Sequence, residues 1–151
     1  MNFDVLLRMR VIERVTVTSE EISELFAVAR RDLRTAQSLV DIDLDWAFAV
    51  AYNSILQLSV AYMNYLGFRP RGEGKHYHTF RFMAEALPDE QVMVKRLQRL
   101  RKKRNASIYE HPGLVSEKEA HEVIDFATRY YQHIEEKLPS EITNRRSEEE
   151  G

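Results

Sequence analysis

The apolar residues of the chain recur at helical spacing over most of its length, interrupted by short joints rich in Gly, Pro and Asp. Thr18-Ser19-Glu20-Glu21 sets hydroxyl caps and acids over a first helical turn, where the helix dipole favours negative charge. Ile22, Leu25, Phe26, Ala29, Leu33, Ala36 and Val40 then form one stripe, which predicts a long helix to about Leu39. Asp41, Asp43 and Asp45 supply the next cap, and a second helix is expected to Leu66, ended by Gly67 and Pro70. Its apolar residues, among them Trp46, Phe48, Val50, Ile55, Leu56, Leu58, Val60, Tyr62 and Met63, lie nearly all round, as on a central buried helix.

After a loop from Arg69 to Gly74, Lys75 to Leu87 reads as a shorter helix closed by Pro88. Asp89 and Glu90 open another, whose Met93, Leu97 and Leu100 make a narrow stripe that continues towards Ile108 until Pro112-Gly113 stops it. Ser116 with Glu119 three residues later is a capping box for the last helix, which runs to about Leu138 through Ala120, Val123, Ile124, Ala127, Tyr131 and Ile134. At the N-terminal end Phe3, Leu6, Leu7 and Arg10 fit a short helix, while Val11 to Val17 favours an extended strap. The expected fold is therefore all-α, an antiparallel bundle of four to five helices over residues 19–138. Residues 1–18 form an N-terminal extension, and residues 139–151 a polar tail without fixed structure.

Composition narrows the classes of function. A chain of 151 residues with 44% hydrophobic and 30% charged positions has the balance of one globular domain. The 22 basic and 24 acidic residues leave a net charge of -2, which predicts no broad electrostatic hold on DNA or anionic lipid. Any contact with RNA must come from a local basic cluster. The absence of Cys removes disulfides, thiol catalysis and thiolate metal sites, and suits a reducing compartment. The first residues, Met1 to Arg8, do not read as a signal peptide, and no run reaches about 18 apolar residues, so a cytoplasmic protein without a membrane span is expected.

The one concentrated chemical signal is Arg99-Leu100-Arg101-Lys102-Lys103-Arg104-Asn105-Ala106-Ser107-Ile108-Tyr109-Glu110-His111. At about 100° per residue, Leu97, Leu100, Arg104, Ile108 and His111 share one stripe, so the apolar face turns into Arg and His. A guanidinium there needs a partner, because an unpaired buried charge costs several kcal/mol. Two readings stay open. Arg104 could clamp a carboxylate such as Asp32, Glu73 or Glu85 and fix two helices in register. Alternatively its fork of donors could hold a phosphate while His111 exchanges protons, which is what phosphodiester cleavage needs.

The phrase Ala29-Arg30-Arg31-Asp32-Leu33-Arg34-Thr35-Ala36, the aromatic-rich second helix, the Gly-containing loop and Leu100-Arg101-Lys102-Lys103-Arg104-Asn105 together resemble a HEPN-domain protein, in order over Ser19 to Leu138. That resemblance implies a helical bundle like nucleotidyltransferase substrate-binding subunits, acting as a homodimer. It also implies a metal-independent endoribonuclease, without cofactor, whose motif is an Arg, a polar residue and a later His; Arg104, Asn105 and His111 fit it. Arg101, Lys102, Lys103 and Tyr109 would help to hold the RNA. The implied biology is the toxin of a toxin–antitoxin pair with a small nucleotidyltransferase-like antitoxin. The alternative is a catalytically silent module that binds a nucleotide, RNA or such a partner. The Tyr two residues after the His that marks nucleotidylated toxins is replaced here by Gly113, so no modification site is carried over.

Weaker signals have plainer readings. His76 and His78 lack a third ligand at fixed spacing and read as a solvated helix start. Gly72-Glu73-Gly74-Lys75-His76 lacks the strand and full spacing of a phosphate loop. Tyr52, Tyr62, Tyr65, Phe80 and Phe82 are spaced as core residues and not as a stacking platform.

Overall fold

A computed structural model describes residues 1–144 and shows an all-α helical bundle with one minimal strand pair. In chain order the elements are α1 (Asp4–Arg8), β1 (Ile12–Arg14), α2 (Ser19–Leu39), α3 (Leu44–Tyr65), β2 (Phe68–Pro70), α4 (Lys75–Ala86), α5 (Gln91–Asn105), a π turn (Ala106–Glu110) and α6 (Glu117–Lys137).

Caps set the helix boundaries. The Thr18 hydroxyl accepts from the Glu21 amide while the Glu21 carboxylate accepts from the Thr18 amide, and Ser116 with Glu119 repeats the device at α6. Of the three acids at the start of α3, Asp43 is the cap, accepting from the Trp46 amide at 3.0 Å. The hydrophobic stripes of α2 and α6 close over α3, whose Ala51, Ile55, Leu58, Ala61 and Met63 are fully buried. A serine on α3 and a tyrosine on α6 lock these two helices: Ser59 spends its proton on the Ile55 carbonyl at 2.9 Å, so the Tyr130 hydroxyl donates to Ser59 Oγ at 2.7 Å.

Two α3 residues expected in the core lie outside it. Trp46, in the first turn, is 57% exposed, and Tyr65, in the last, is 42% exposed. Both stand at the ends of α3, one in its first turn and one at its last residue. The N-terminal extension, by contrast, belongs to the core. Leu6 and Ile12 are buried, Phe3 stacks on Phe82 of α4 with ring centroids 4.2 Å apart, and part of the strap forms β1, antiparallel to β2 with Ile12 opposite Pro70.

The segment expected as a free polar tail begins with a docked turn. Residues 140–144 are helical, Ile142 and Thr143 are buried, and the Ile142 carbonyl accepts from Ser23 at 2.8 Å. Arg30 donates to the Thr143 carbonyl at 3.0 Å and to the Tyr131 hydroxyl at 2.9 Å. One apolar residue, Ile142, provides the anchor within an otherwise polar stretch. The rest of that expected tail, residues 145–151, lies outside the described residues.

Candidate phosphate site at the end of α5

Arg104 ends α5 half-buried and in unusual company. Its guanidinium lies over the Tyr52 ring of α3, 5.5 Å from the centroid, and over the Tyr109 ring of the π turn at 5.6 Å. A terminal nitrogen donates to Asn105 Oδ1 at 3.2 Å, whereas Nε is buried without a hydrogen-bond partner among the described residues. Among the described residues no carboxylate reaches Arg104 within ion-pair distance. Asp32, one of the carboxylates considered as its clamp, instead accepts from Arg31 at 3.2 Å and from Asn53 at 2.6 Å. The charge is thus held by two aromatic faces and one amide, all of which orient a cation without neutralising it.

Asn105 therefore positions Arg104 from within the same turn. Arg101 faces the start of α4: its Nε donates to Gln98 Oε1 at 2.8 Å, Gln98 donates to the Tyr77 carbonyl at 3.0 Å, and the guanidinium sits 5.3 Å over the Tyr77 ring. Lys102 is exposed. Lys103 is committed elsewhere, since its ammonium is 2.8 Å from Glu119 of α6 and 3.4 Å from the Leu114 carbonyl. It ties the loop to α6, and its hydrogen bond is the main cause of a Glu119 pKa held below the ordinary carboxylate value. Tyr109 is 72% exposed, so one face of the site is open to solvent.

His111 is not on the Arg104 stripe. The His111 amide bonds to the Ala106 carbonyl at 2.7 Å, an i to i+5 closure that encloses one residue more than an α-helical turn. Everything after it lags by about one helical step, roughly 100°. Ser107 becomes the buried residue, Ile108 is only half-buried, and His111 is exposed.

Two residues that organise the site carry no local sequence signal for that role. Asp45, in the first turn of α3, accepts from the Ser107 hydroxyl at 3.1 Å, from the Val115 amide at 3.3 Å and from the Gly113 amide. Gly113 has φ +83°, a left-handed conformation in which a side chain would be strained. Partial burial opposes ionisation of Asp45, but the two amides, the hydroxyl and the Lys103 charge outweigh it and hold the pKa below the usual value. The second is His76 of α4, whose Nδ1 lies 3.0 Å from the Tyr52 hydroxyl, so the ring that carries Arg104 on its face carries an imidazole at its edge. Burial, then Arg104 and Arg101, lower the His76 pKa and keep it neutral at neutral pH. Burial likewise raises the Tyr52 pKa, against the pull of the same two arginines.

Among the described residues no group of three or more His, Asp or Glu is placed to hold a metal ion, and no helix is long and apolar enough to cross a membrane. The fold and site define a helical-bundle protein with an unneutralised, aromatic-framed arginine at its surface. Comparison of the chain with protein-family models, with curated proteins and with solved structures found no match.

Proposed function

We propose that this chain is a HEPN-like module that holds an RNA phosphodiester at Arg104. One observation carries the reading: a half-buried guanidinium, fixed between Tyr52 and Tyr109, has among the described residues no partner for its buried Nε and no carboxylate within reach. A phosphate oxygen on the terminal nitrogens of this half-buried guanidinium would supply the missing charge. The exposed Tyr109 ring offers a face on which a neighbouring base can stack, and Arg101 and Lys102 extend the positive surface. In this reading the protein works in the cytoplasm.

Binding of a short labelled single-stranded RNA, followed by fluorescence anisotropy, tests the site. Arg104→Ala should weaken binding by about tenfold or more and lower the salt dependence by roughly one counterion. Unchanged affinity and salt slope would overturn the reading.

A second reading, metal-independent endoribonuclease, rests on the exposed imidazole of His111, which makes no side-chain hydrogen bond among the described residues. The π turn displaces His111 by about 100° from the bearing that an unbroken α-helix would give it relative to Arg104, so cleavage is proposed for a homodimer in which each His111 meets the partner copy's phosphate site. Attack by the ribose 2′-hydroxyl on the adjacent phosphorus would expel the 5′-oxygen and leave a 2′,3′-cyclic phosphate and a 5′-hydroxyl. His111 would move the proton, and Arg104 would hold the phosphoryl oxygens. Such an enzyme would suit a toxin restrained by a small nucleotidyltransferase-like antitoxin. Labelled RNA incubated in EDTA with wild type, Arg104→Ala and His111→Ala decides this: loss of cleavage in both variants supports it, and cleavage that survives both removes it.

A further inference from the structure

His76 stands beside the Arg104 site without any part in the motif that ends α5. Its ring is half-buried at the start of α4, with Nδ1 3.0 Å from the hydroxyl of Tyr52. The direction of that hydrogen bond follows from which proton would otherwise be stranded. Tyr52 is 1% exposed, and its hydroxyl has no other hydrogen-bond partner among the described residues. If the phenol accepted from Nδ1–H, its own O–H would be left unpaired in the interior, the costlier of the two arrangements. The phenol therefore donates to Nδ1, and the imidazole proton resides on Nε2.

Nε2 lies on the far edge of the ring from Tyr52. Among the described residues it has no hydrogen-bond partner and is not fully buried, so it is open to a ligand. Arg104 occupies the face of the tyrosine whose hydroxyl fixes His76, and Arg101, anchored by Gln98 over the adjacent Tyr77, approaches from the same side of α5. The Tyr52 ring thus carries Arg104 on its face and His76 at its hydroxyl, while Arg101 lies over the neighbouring Tyr77 ring.

We propose that the Nε2–H of His76 is a second donor to the phosphate held by Arg104, with Tyr52 fixing the imidazole tautomer. The ligand class is a phosphodiester or phosphate monoester of a nucleotide or RNA, and the assignment rests on the phosphate reading of Arg104. His76 is distinct in role from His111. It binds in the neutral form at neutral pH and becomes a third positive charge on acidification, which a phosphate would favour. The charged groups acting on it are Arg104 and Arg101 of α5, and Tyr52 of α3 stays uncharged.

The substitutions can be chosen to separate the two ring nitrogens. His76→Asn keeps an acceptor near the position of Nδ1 for Tyr52 and deletes Nε2, whereas His76→Gln places an amide donor near the position of Nε2. With a short fluorescein-labelled single-stranded RNA, His76→Asn should bind about tenfold more weakly than wild type, and His76→Gln should recover part of that loss. Wild-type affinity should rise between about pH 7.5 and about pH 5.5, and His76→Asn should lose most of that rise. Imidazole nitrogen shifts by NMR provide a readout independent of folding: His76 should show the Nε2–H tautomer at neutral pH, and its Nε2 signal should move on addition of the RNA. If Arg104→Ala weakens binding but His76→Asn retains wild-type affinity and pH profile, the His76 assignment fails and the phosphate site stands. If Arg104→Ala also binds normally, the phosphate reading itself fails. An Nδ1–H tautomer, or an Nε2 signal indifferent to RNA, would also overturn the proposal.

Discussion

Removal of the Asp45 carboxylate should loosen the far side of the site before it touches the bundle. Asp45 accepts one hydroxyl and two amide hydrogen bonds, from Ser107, Gly113 and Val115, and so pins both the π turn and the loop behind it to the start of α3. A hydrogen bond to an ionised group contributes about 1.5–3 kcal/mol when buried, but this carboxylate is partly open to water and the freed amides can be hydrated, so roughly 1 kcal/mol each is the fitting scale. Asp45→Ala should then cost about 2–3 kcal/mol, a fall in Tm of about 4–12 °C for a domain of this size. Hydrogen exchange should localise the loss to the amides of Gly113 and Val115, while the amides of α3 and α6 change only with global stability. The sign of the pH effect is fixed by the lowered pKa. The unfolded chain takes up the proton first, so the contribution is complete above the ordinary carboxylate pKa and is lost as pH falls through the folded value. The gap between variant and wild type should therefore begin to narrow only below about pH 4 and close as pH falls past the lowered folded value. Asp43→Ala, which removes only the α3 cap, is the control and should leave the loop amides protected. Unchanged exchange at Gly113 and Val115 in Asp45→Ala would refute the clamp.

Other substitutions probe the frame that presents the site. Leu97→Ala, at a fully buried position of α5, should destabilise by about 2–5 kcal/mol in chemical denaturation. Ser59→Ala strands the Tyr130 hydroxyl and should cost about 1–3 kcal/mol; a double-mutant cycle with Tyr130→Phe should return a favourable coupling, and simple additivity would contradict the bond. Lys103→Ala should raise the Glu119 pKa towards its ordinary value, measurable by NMR titration, because the ammonium hydrogen bond is the largest cause of its depression. Ile142→Ala should lower thermal stability by about 2–4 kcal/mol, an effect that a free tail would not show.

The helix boundaries were legible because caps and stripes are local. Thr18 with Glu21 and Ser116 with Glu119 announce α2 and α6, and both starts stand where those residues place them. The cluster around Arg104 was legible only in part. Its position on the apolar stripe pointed to a charge in need of a partner, but nothing local shows that the partners are aromatic rings. His76 and Tyr52 are 24 positions apart and Asp45 and Gly113 are 68 apart, and such approaches are set by how helices pack. The π turn escapes any reading at constant helical pitch, because Ala106 to Glu110 contains no Gly or Pro to mark a change of winding. Trp46 misled for a related reason: an all-round apolar pattern does not say which residues near the helix ends stay exposed.

The π turn also makes one residue between Arg104 and His111 dispensable. Deletion of Ile108 would let the ladder close as an ordinary α-helix, and His111, Gly113 and the Asp45 clamp would keep nearly the same bearing, because the turn already absorbs one helical step of about 100°. The same deletion in the middle of α5 would swing every later side chain through that angle. This short stretch is thus a splice in the contour, where the chain can lose a codon while the loop beyond it keeps its aim.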